Sequence, residues 1–119
     1  MLLKNEQKPK IINMFFGPST DLRPAEFKQE LDKTNGVVID CRTPGECAGG
    51  TWPGATCIDW LGGEMQRAVS TLDPNQSYFL YCRSGNRSAQ ATRFLKANGF
   101  EKVYNVGAID SIIHEAQSA

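Results

Sequence analysis

The ten residues "YCRSGNRSAQ" (81–90) place a cysteine, two arginines, a glycine and two serines in one short stretch. A cysteine acts as a nucleophile through its thiolate, and an ordinary thiol is mostly protonated at neutral pH. The surroundings of Cys82 are those an ionised sulfur needs. The run Ser77-Tyr78-Phe79-Leu80-Tyr81 before it reads as a buried strand, and Ser88 to Asn98 after it reads as a helix capped by Ser88. Cys82 is therefore expected at a strand-to-helix turn, where unpaired N–H groups gather and the helix end carries about half a positive charge. Gly85 permits a positive φ and close backbone approach, and successive N–H groups of such a loop form an anion-holding nest. Arg83 and Arg87 add two full charges. Each of these favours the charged sulfur, so the pKa of Cys82 is expected to be lowered.

The other candidate side chains lack these surroundings. Cys41 and Cys57 fall inside apolar runs and read as small buried residues, and Cys47 falls near a helix end. The four cysteines contain no C-x-x-C pair, which argues against zinc, and no metal or other cofactor is expected. "MLLKNEQKPK" has no apolar core of signal-peptide length, and no stretch is long enough to cross a membrane. A cytoplasmic chain with four free thiols is the expectation. Thirteen basic and thirteen acidic residues balance, so no global field draws the protein to nucleic acid or a membrane. His114, the one histidine, reads as a surface residue. The Asn86-Arg87-Ser88 triplet matches a glycosylation acceptor only by chance in a cytosolic chain.

The elements that must position Cys82 alternate along the chain. The 119 residues, 40% hydrophobic and 22% charged, suit one domain, 1–119, with a single core. "KIINMFF" (10–16) reads as a strand. Asp21 is placed to cap a helix through about Asp32, with Pro24 in its first turn. "GVVIDC" (36–41) reads as a buried parallel strand. Thr43 with Glu46 forms a capping box over Pro44, and Gly49 and Gly50 end that short helix. "ATCI" (55–58) is a further strand. Met65, Ala68, Val69 and Leu72 fall at helical spacing, and "DPNQ" (73–76) turns the chain into the strand before Cys82. Gly99 is placed to stop the following helix, with Phe100 folding back on Leu95. "KVYNV" (102–106) is the last strand, and Ile109 to about Ala116 the last helix. The alternation implies an α/β fold, a mostly parallel sheet with helices on both faces, binding its ligand outside the carboxyl ends of the strands.

Spacing narrows the chemistry. Cysteine phosphatases hold a tetrahedral dianion in a C-x-x-x-x-x-R loop. Here the arginine comes one residue sooner, as C-x-x-x-x-R, and the tighter cradle suits one extra sulfur atom better than three phosphoryl oxygens. A phosphatase or arsenate reductase is thereby disfavoured. With that loop in view, the chain resembles a single-domain rhodanese over about residues 20–112. "CRSGNRS" resembles the six-residue active loop of competent members. "VVIDCRTPGEC", "GGTWPGATCI" and "VYNVGAID" resemble three further family motifs in the same order. The chain departs from them at Thr51 and Trp52, where the family usually has His-Ile, at Ala108 in place of a glycine, and at Ile112 in place of a frequent tryptophan.

The resemblance implies a rhodanese-like fold and a sulfurtransferase. Cys82 would take a sulfane sulfur from a donor such as thiosulfate and pass it, as a persulfide, to a thiol or cyanide. It assigns Cys82 as the catalytic residue and Arg83, Ser84, Gly85, Asn86, Arg87 and Ser88 as the loop that binds substrate. The expected partners are a small anionic sulfur donor and a thiol acceptor, either a small molecule or a thioredoxin-like protein. The chain is expected to be a monomer. Arg87 is expected to face the donor anion, the alternative being a pair with Asp40 or Glu46, and Arg83 is divided between the two. Asp40 and Arg42 resemble a buried structural pair, while Asp59 and Trp60 line the pocket rim or simply pack. The rival reading is a sulfur-relay module loaded by a partner enzyme, with weak thiosulfate turnover.

Overall fold

The computed structural model describes residues 20–117, so the strand expected at 10–16 lies outside the described residues. The first described helix, α1 (Pro24–Thr34), begins two residues later than the sequence suggests. Its N-cap is Arg23, and the Glu26 carboxylate accepts the Arg23 N–H at 2.9 Å. Asp21 does not cap this helix. Its carboxylate accepts the Asn105 N–H at 2.7 Å, and its own N–H donates to the Asn105 carbonyl at 2.7 Å. A backbone group at a sheet edge needs a partner as much as a helix end does, and Asp21 serves the edge.

Among the described residues, four strands form an all-parallel sheet in the order β2-β1-β3-β4, where β1 is Val37–Asp40, β2 Thr56–Cys57, β3 Tyr78–Cys82 and β4 Val103–Ala108. All five β3 residues are buried, because the strand is central and covered on both faces. Alternation then sorts the side chains. Tyr78, Leu80 and Cys82 face one core with Ile39, Cys41, Met65, Ala91 and Leu95. Phe79 and Tyr81 face the other with Phe27, Val38, Trp52, Val106 and Ile112. The two covers are α4 (Asn86–Ala97) on the first face and α1 with α5 (Ile109–Ile112) on the second. The departures at 52 and 112 are thus core fillings: Trp52 packs on Phe27 with ring centroids 4.8 Å apart, and Ile112 is fully buried.

The register slips between Leu80 and Tyr81, so that Tyr81 lies opposite Gly107 while Leu80 lies opposite Asn105. Gly107 sits at φ 96°, and a Cβ there would come within 2.7 Å of the Thr20 methyl. Only glycine lets the chain bulge at this point with residue 20 laid against it. Helix α4 ends as the sequence predicts. The Gly99 N–H donates to the Lys96 carbonyl and the Phe100 N–H to the Leu95 carbonyl, with Gly99 at φ 92°.

Between β1 and β2 runs α2 (Pro44–Ala48), which has no buried residue and would not hold by packing. Its capping box does form. Thr43 accepts the Glu46 N–H at 3.3 Å, and Glu46 accepts the Thr43 N–H at 3.1 Å. A second fastener contradicts the expectation of four free thiols: Cys47 on α2 and Cys57 on β2 form a disulfide, their Cα atoms 6.5 Å apart. Cys57 is therefore half of a bridge rather than a core thiol, and only Cys41 and Cys82 are free. Pairing depends on which cysteines the fold brings together, which no spacing in the sequence states. The bridge closes a short loop, ten residues apart in sequence. Reduction is expected to cost about 3 kcal/mol by loop-closure entropy. A denaturant melt with and without dithiothreitol checks this, and Cys57→Ser should reproduce the loss and abolish the further effect of reductant.

The remaining elements follow the sequence closely. Helix α3 (Glu64–Ala68) passes into a 3-10 turn at Val69–Thr71, with Met65 buried and Ala68, Val69 and Leu72 packed beside it. The last helical stretch is shorter than expected, since α5 passes into a 3-10 turn at Ile113–Gln117. Among the described residues, no helix is long and apolar enough to cross a membrane.

Candidate active site

Strand β3 delivers Cys82 to the carboxyl edge of the sheet, and α4 starts four residues later. The cap of α4 is Gly85, at φ 98°, not Ser88. That left-handed turn is what a glycine permits and other residues resist. It aims the loop inward: the Gly85 N–H donates to Cys82 Sγ at 3.0 Å and the Ser88 N–H donates at 3.4 Å. Ser88 lies in the first turn of the helix, fully buried, with its hydroxyl 3.5 Å from the same sulfur. The sulfur is therefore held by main-chain donors at the positive end of a twelve-residue helix.

Burial alone would push the Cys82 thiol up. The Ser88 hydroxyl and the N–H groups of Ser88, Gly85 and Ser84 outweigh it, and the thiol ends below its ordinary value. The direction matches the sequence reading, and of the causes expected there the N–H groups of the loop carry it rather than the arginines. Cys41 shows the contrast. It follows Asp40 as Cys82 follows Tyr81 in the paired strands, and its N–H donates to the Tyr81 carbonyl at 2.8 Å. Burial, then the neighbouring Cys82 and Asp40, push its thiol well up, which leaves it protonated and unreactive. Alkylation rate against pH, measured on the bridged protein, is expected to report Cys82 alone. Its midpoint should fall below about 8.5, the value of an unperturbed thiol. Ser88→Ala should move the midpoint up.

Both arginines of the loop meet one carboxylate. Arg87 forks onto Glu46, Nη1 to Oε1 at 2.7 Å and Nη2 to Oε2 at 3.1 Å. Arg83 donates from Nε to Glu46 Oε2 at 3.2 Å. Hydrogen bonds from Arg87 first, then from the Thr43 N–H and from Arg83, hold the Glu46 carboxyl far below the usual carboxylate range. Of the two roles open to Arg87 in the sequence, pairing with Glu46 is the one present in this structure. Ser84 and Asn86 are exposed, the Asn86 N–H reaching the Ser84 hydroxyl at 3.4 Å.

Asp40 and Arg42 form the buried pair foreseen. Arg42 Nε and Nη2 donate to the Asp40 carboxylate at 2.9 and 2.7 Å, and Nη2 also donates to the Gly50 carbonyl at 2.6 Å. They brace β1 against the Gly50 turn rather than reach the sulfur. Asp59 and Trp60 close the end of β2: the Trp60 indole packs on Phe94 and donates to Gln90 at 3.1 Å. His114 is exposed. Among the described residues, no three His, Cys, Asp or Glu side chains converge as a metal site would need.

Asn105 is the residue that sequence reasoning passed over. Its side-chain oxygen accepts the Ser88 hydroxyl at 2.7 Å and the Gly107 N–H at 3.1 Å. Its amide nitrogen donates to the Gly85 carbonyl at 3.4 Å. It thus ties β4 to both ends of the loop. The signal was present, since Asn105 stands in the "VYNVGAID" motif.

The rhodanese-like domain family profile matches residues 23–112. The putative sulfur carrier protein YrkF of Bacillus subtilis is 35% identical over 81 residues, covering 67% of this chain and 43% of its own length. The putative sulfurtransferase YtwF of the same organism is 31% identical over 84 residues, covering 70% of this chain and 80% of its own. Several tRNA uridine(34) hydroxylases also match, and the chain spans less than a third of each. This chain thus covers under half the length of the first curated relatives. Among solved structures, a rhodanese-related protein from Thermoplasma volcanium superposes with a TM-score of 0.69 at 30% identity, covering 82% of this chain and 93% of that one.

Proposed function

Since the chain belongs to the rhodanese-like domain family, we propose that it moves a sulfane sulfur through a persulfide on Cys82. The observation that carries the reading is the ring of donors around Cys82 Sγ, with the Gly85 N–H at 3.0 Å and the Ser88 N–H at 3.4 Å. Preorganised donors of this kind stabilise negative charge at little reorganisation cost. They serve the thiolate first and the persulfide that replaces it afterwards. With a donor such as thiosulfate, the thiolate attacks the sulfane sulfur, the sulfur–sulfur bond breaks, and sulfite leaves with the electron pair. An acceptor thiolate or cyanide then attacks the outer sulfur, and the Cys82 thiolate is the leaving group. The donors that lower the thiol favour the ionised nucleophile, so the step needs no separate general base.

The finer details follow the same reading. Cys82 is the nucleophile, Gly85, Ser88 and Ser84 supply the donors, and Arg83 and Arg87 stand where an anionic donor would arrive. The acceptor is a thiol, small or on a thioredoxin-like protein. The likeness to a putative sulfur carrier favours a second reading, a relay loaded by a partner enzyme. Intact mass spectrometry after treatment with thiosulfate tests the main reading. One added sulfur atom, removed by cyanide, is the expected result. A protein that accepts no sulfur from thiosulfate or from a small persulfide would end it.

A further inference from the structure

Two guanidinium groups at the mouth of the loop are met by one carboxylate, Glu46, and Arg87 also feels the charge of Cys82 nearby. Arg87 is held in a fork, both of its Nη groups on Glu46, and its side chain is only 18% exposed. Arg83 completes the cluster from the solvent side at 3.2 Å. A planar fork on a carboxylate uses the same donors that would take the oxygens of thiosulfate. Glu46 is not free to swing aside without loss, because its Oε1 also accepts the Thr43 N–H that starts α2. Its backbone is fixed by that capping box on one side and by the neighbouring Cys47–Cys57 bridge on the other.

We propose that Glu46 is a specificity residue that occupies the arginine fork and screens the loop against doubly charged donors, so that the preferred donor is a thiol persulfide. The proposal rests on the reading of Cys82 as a sulfur-carrying nucleophile. The charges explain the choice. Two cations, one carboxylate and, once Cys82 ionises to react, one thiolate sum to zero, so an arriving dianion finds no net attraction and must break the fork to be bound. A persulfide R–S–SH brings at most one negative charge, against two on thiosulfate, and has no oxygens to seat in a fork. The Cys82 thiolate attacks its outer sulfur, the S–S bond of the persulfide breaks, and RS⁻ leaves with the electron pair and no further reactant. Cys82 holds the outer sulfur, and the proton it carried passes to RS⁻ or to solvent.

Glu46→Gln tests this with the fold preserved. Glutamine is equally suited to the third position of a capping box, and its amide oxygen can still accept the Thr43 N–H. The variant removes one negative charge and half of the fork. Loading of Cys82 is followed by intact mass with two donors, thiosulfate and mercaptoethanol persulfide, whose carbon skeleton is uncharged. The KM for thiosulfate should fall at least tenfold in the variant, while the rate constant with the persulfide changes less than twofold. A readout without turnover accompanies it: sulfate should protect Cys82 from alkylation at concentrations at least tenfold lower in the variant. Unchanged thiosulfate KM and sulfate protection, with persulfide loading intact, would overturn the role of Glu46 and leave the sulfur-transfer reading standing. A wild-type protein that loads from neither donor would overturn that reading itself.

Discussion

Cys82→Ser is expected to reduce sulfur loading to background, a loss on the order of 10³-fold or more, as when an enzyme nucleophile is removed. A serine hydroxyl in that place is not ionised at neutral pH. The donors that lower the thiol, the N–H groups of Gly85, Ser88 and Ser84, have nothing comparable to stabilise on it. The fold should survive, because the oxygen is smaller than the sulfur and meets the same N–H groups at the head of α4. Cys41→Ser provides the control from the adjacent strand. It leaves the loop intact and places a hydroxyl in a fully buried apolar cluster, at about 1–3 kcal/mol if unpaired. Mass shift and denaturant melt on both variants separate chemistry from stability. A Cys82→Ser protein that still takes up sulfur at the wild-type rate would show that a different thiol carries it.

The largest effect on stability should come from Arg42→Ala, at about 3–5 kcal/mol, the cost of removing one member of a buried ion pair. Asp40 is fully buried and Arg42 nearly so, and two nitrogens of the guanidinium hold the carboxylate. The same Nη2 takes the Gly50 carbonyl, so the substitution also releases the turn that follows α2. The loss arises mainly from the charge left behind and not from the pair's own worth. A double variant, Asp40→Asn with Arg42→Met, should therefore be less destabilised than Arg42→Ala alone. Equal losses in the denaturant melts of the two would point to packing and not to the stranded carboxylate.

The succession of strands and helices and the loop were legible because their signals are local. A β-branched or aromatic run bounded by turn residues reads as a buried strand whatever surrounds it, and Gly85 with Ser88 after Cys82 marks a strand-to-helix turn. The Schellman end of α4 and the box at Thr43 and Glu46 were equally local, each spanning a single helical turn. What was misread depends on partners far along the chain. Asp21 has the chemistry of a cap but is claimed by Asn105, eighty-four positions away. Ser88 also has it, and is claimed by Asn105 and by the sulfur. Glu46 announced its duty to Thr43, and its reach to Arg87, forty-one positions on, was only the less favoured of two readings. Cys47 and Cys57 looked like separate thiols until α2 and β2 brought them together. The departures at Trp52 and Ile112 are visible in the sequence, but only the fold shows that both are spent on filling one core.

The contact between Asp21 and Asn105 bears on how the sheet meets other molecules. Among the described residues strand β4 is at an edge of the sheet, and an open edge invites a strand from another molecule to dock on its bare N–H and C=O groups. Here the outward pair of Asn105 is already taken by the main chain and carboxylate of Asp21, as a visiting strand would take it. The bulge at Gly107, filled by Thr20, breaks the regular spacing that a second chain would have to match. The opposite edge, β2, has only two residues to offer. Among the described residues, the sheet thus offers a second chain an interrupted edge on one side and a two-residue edge on the other.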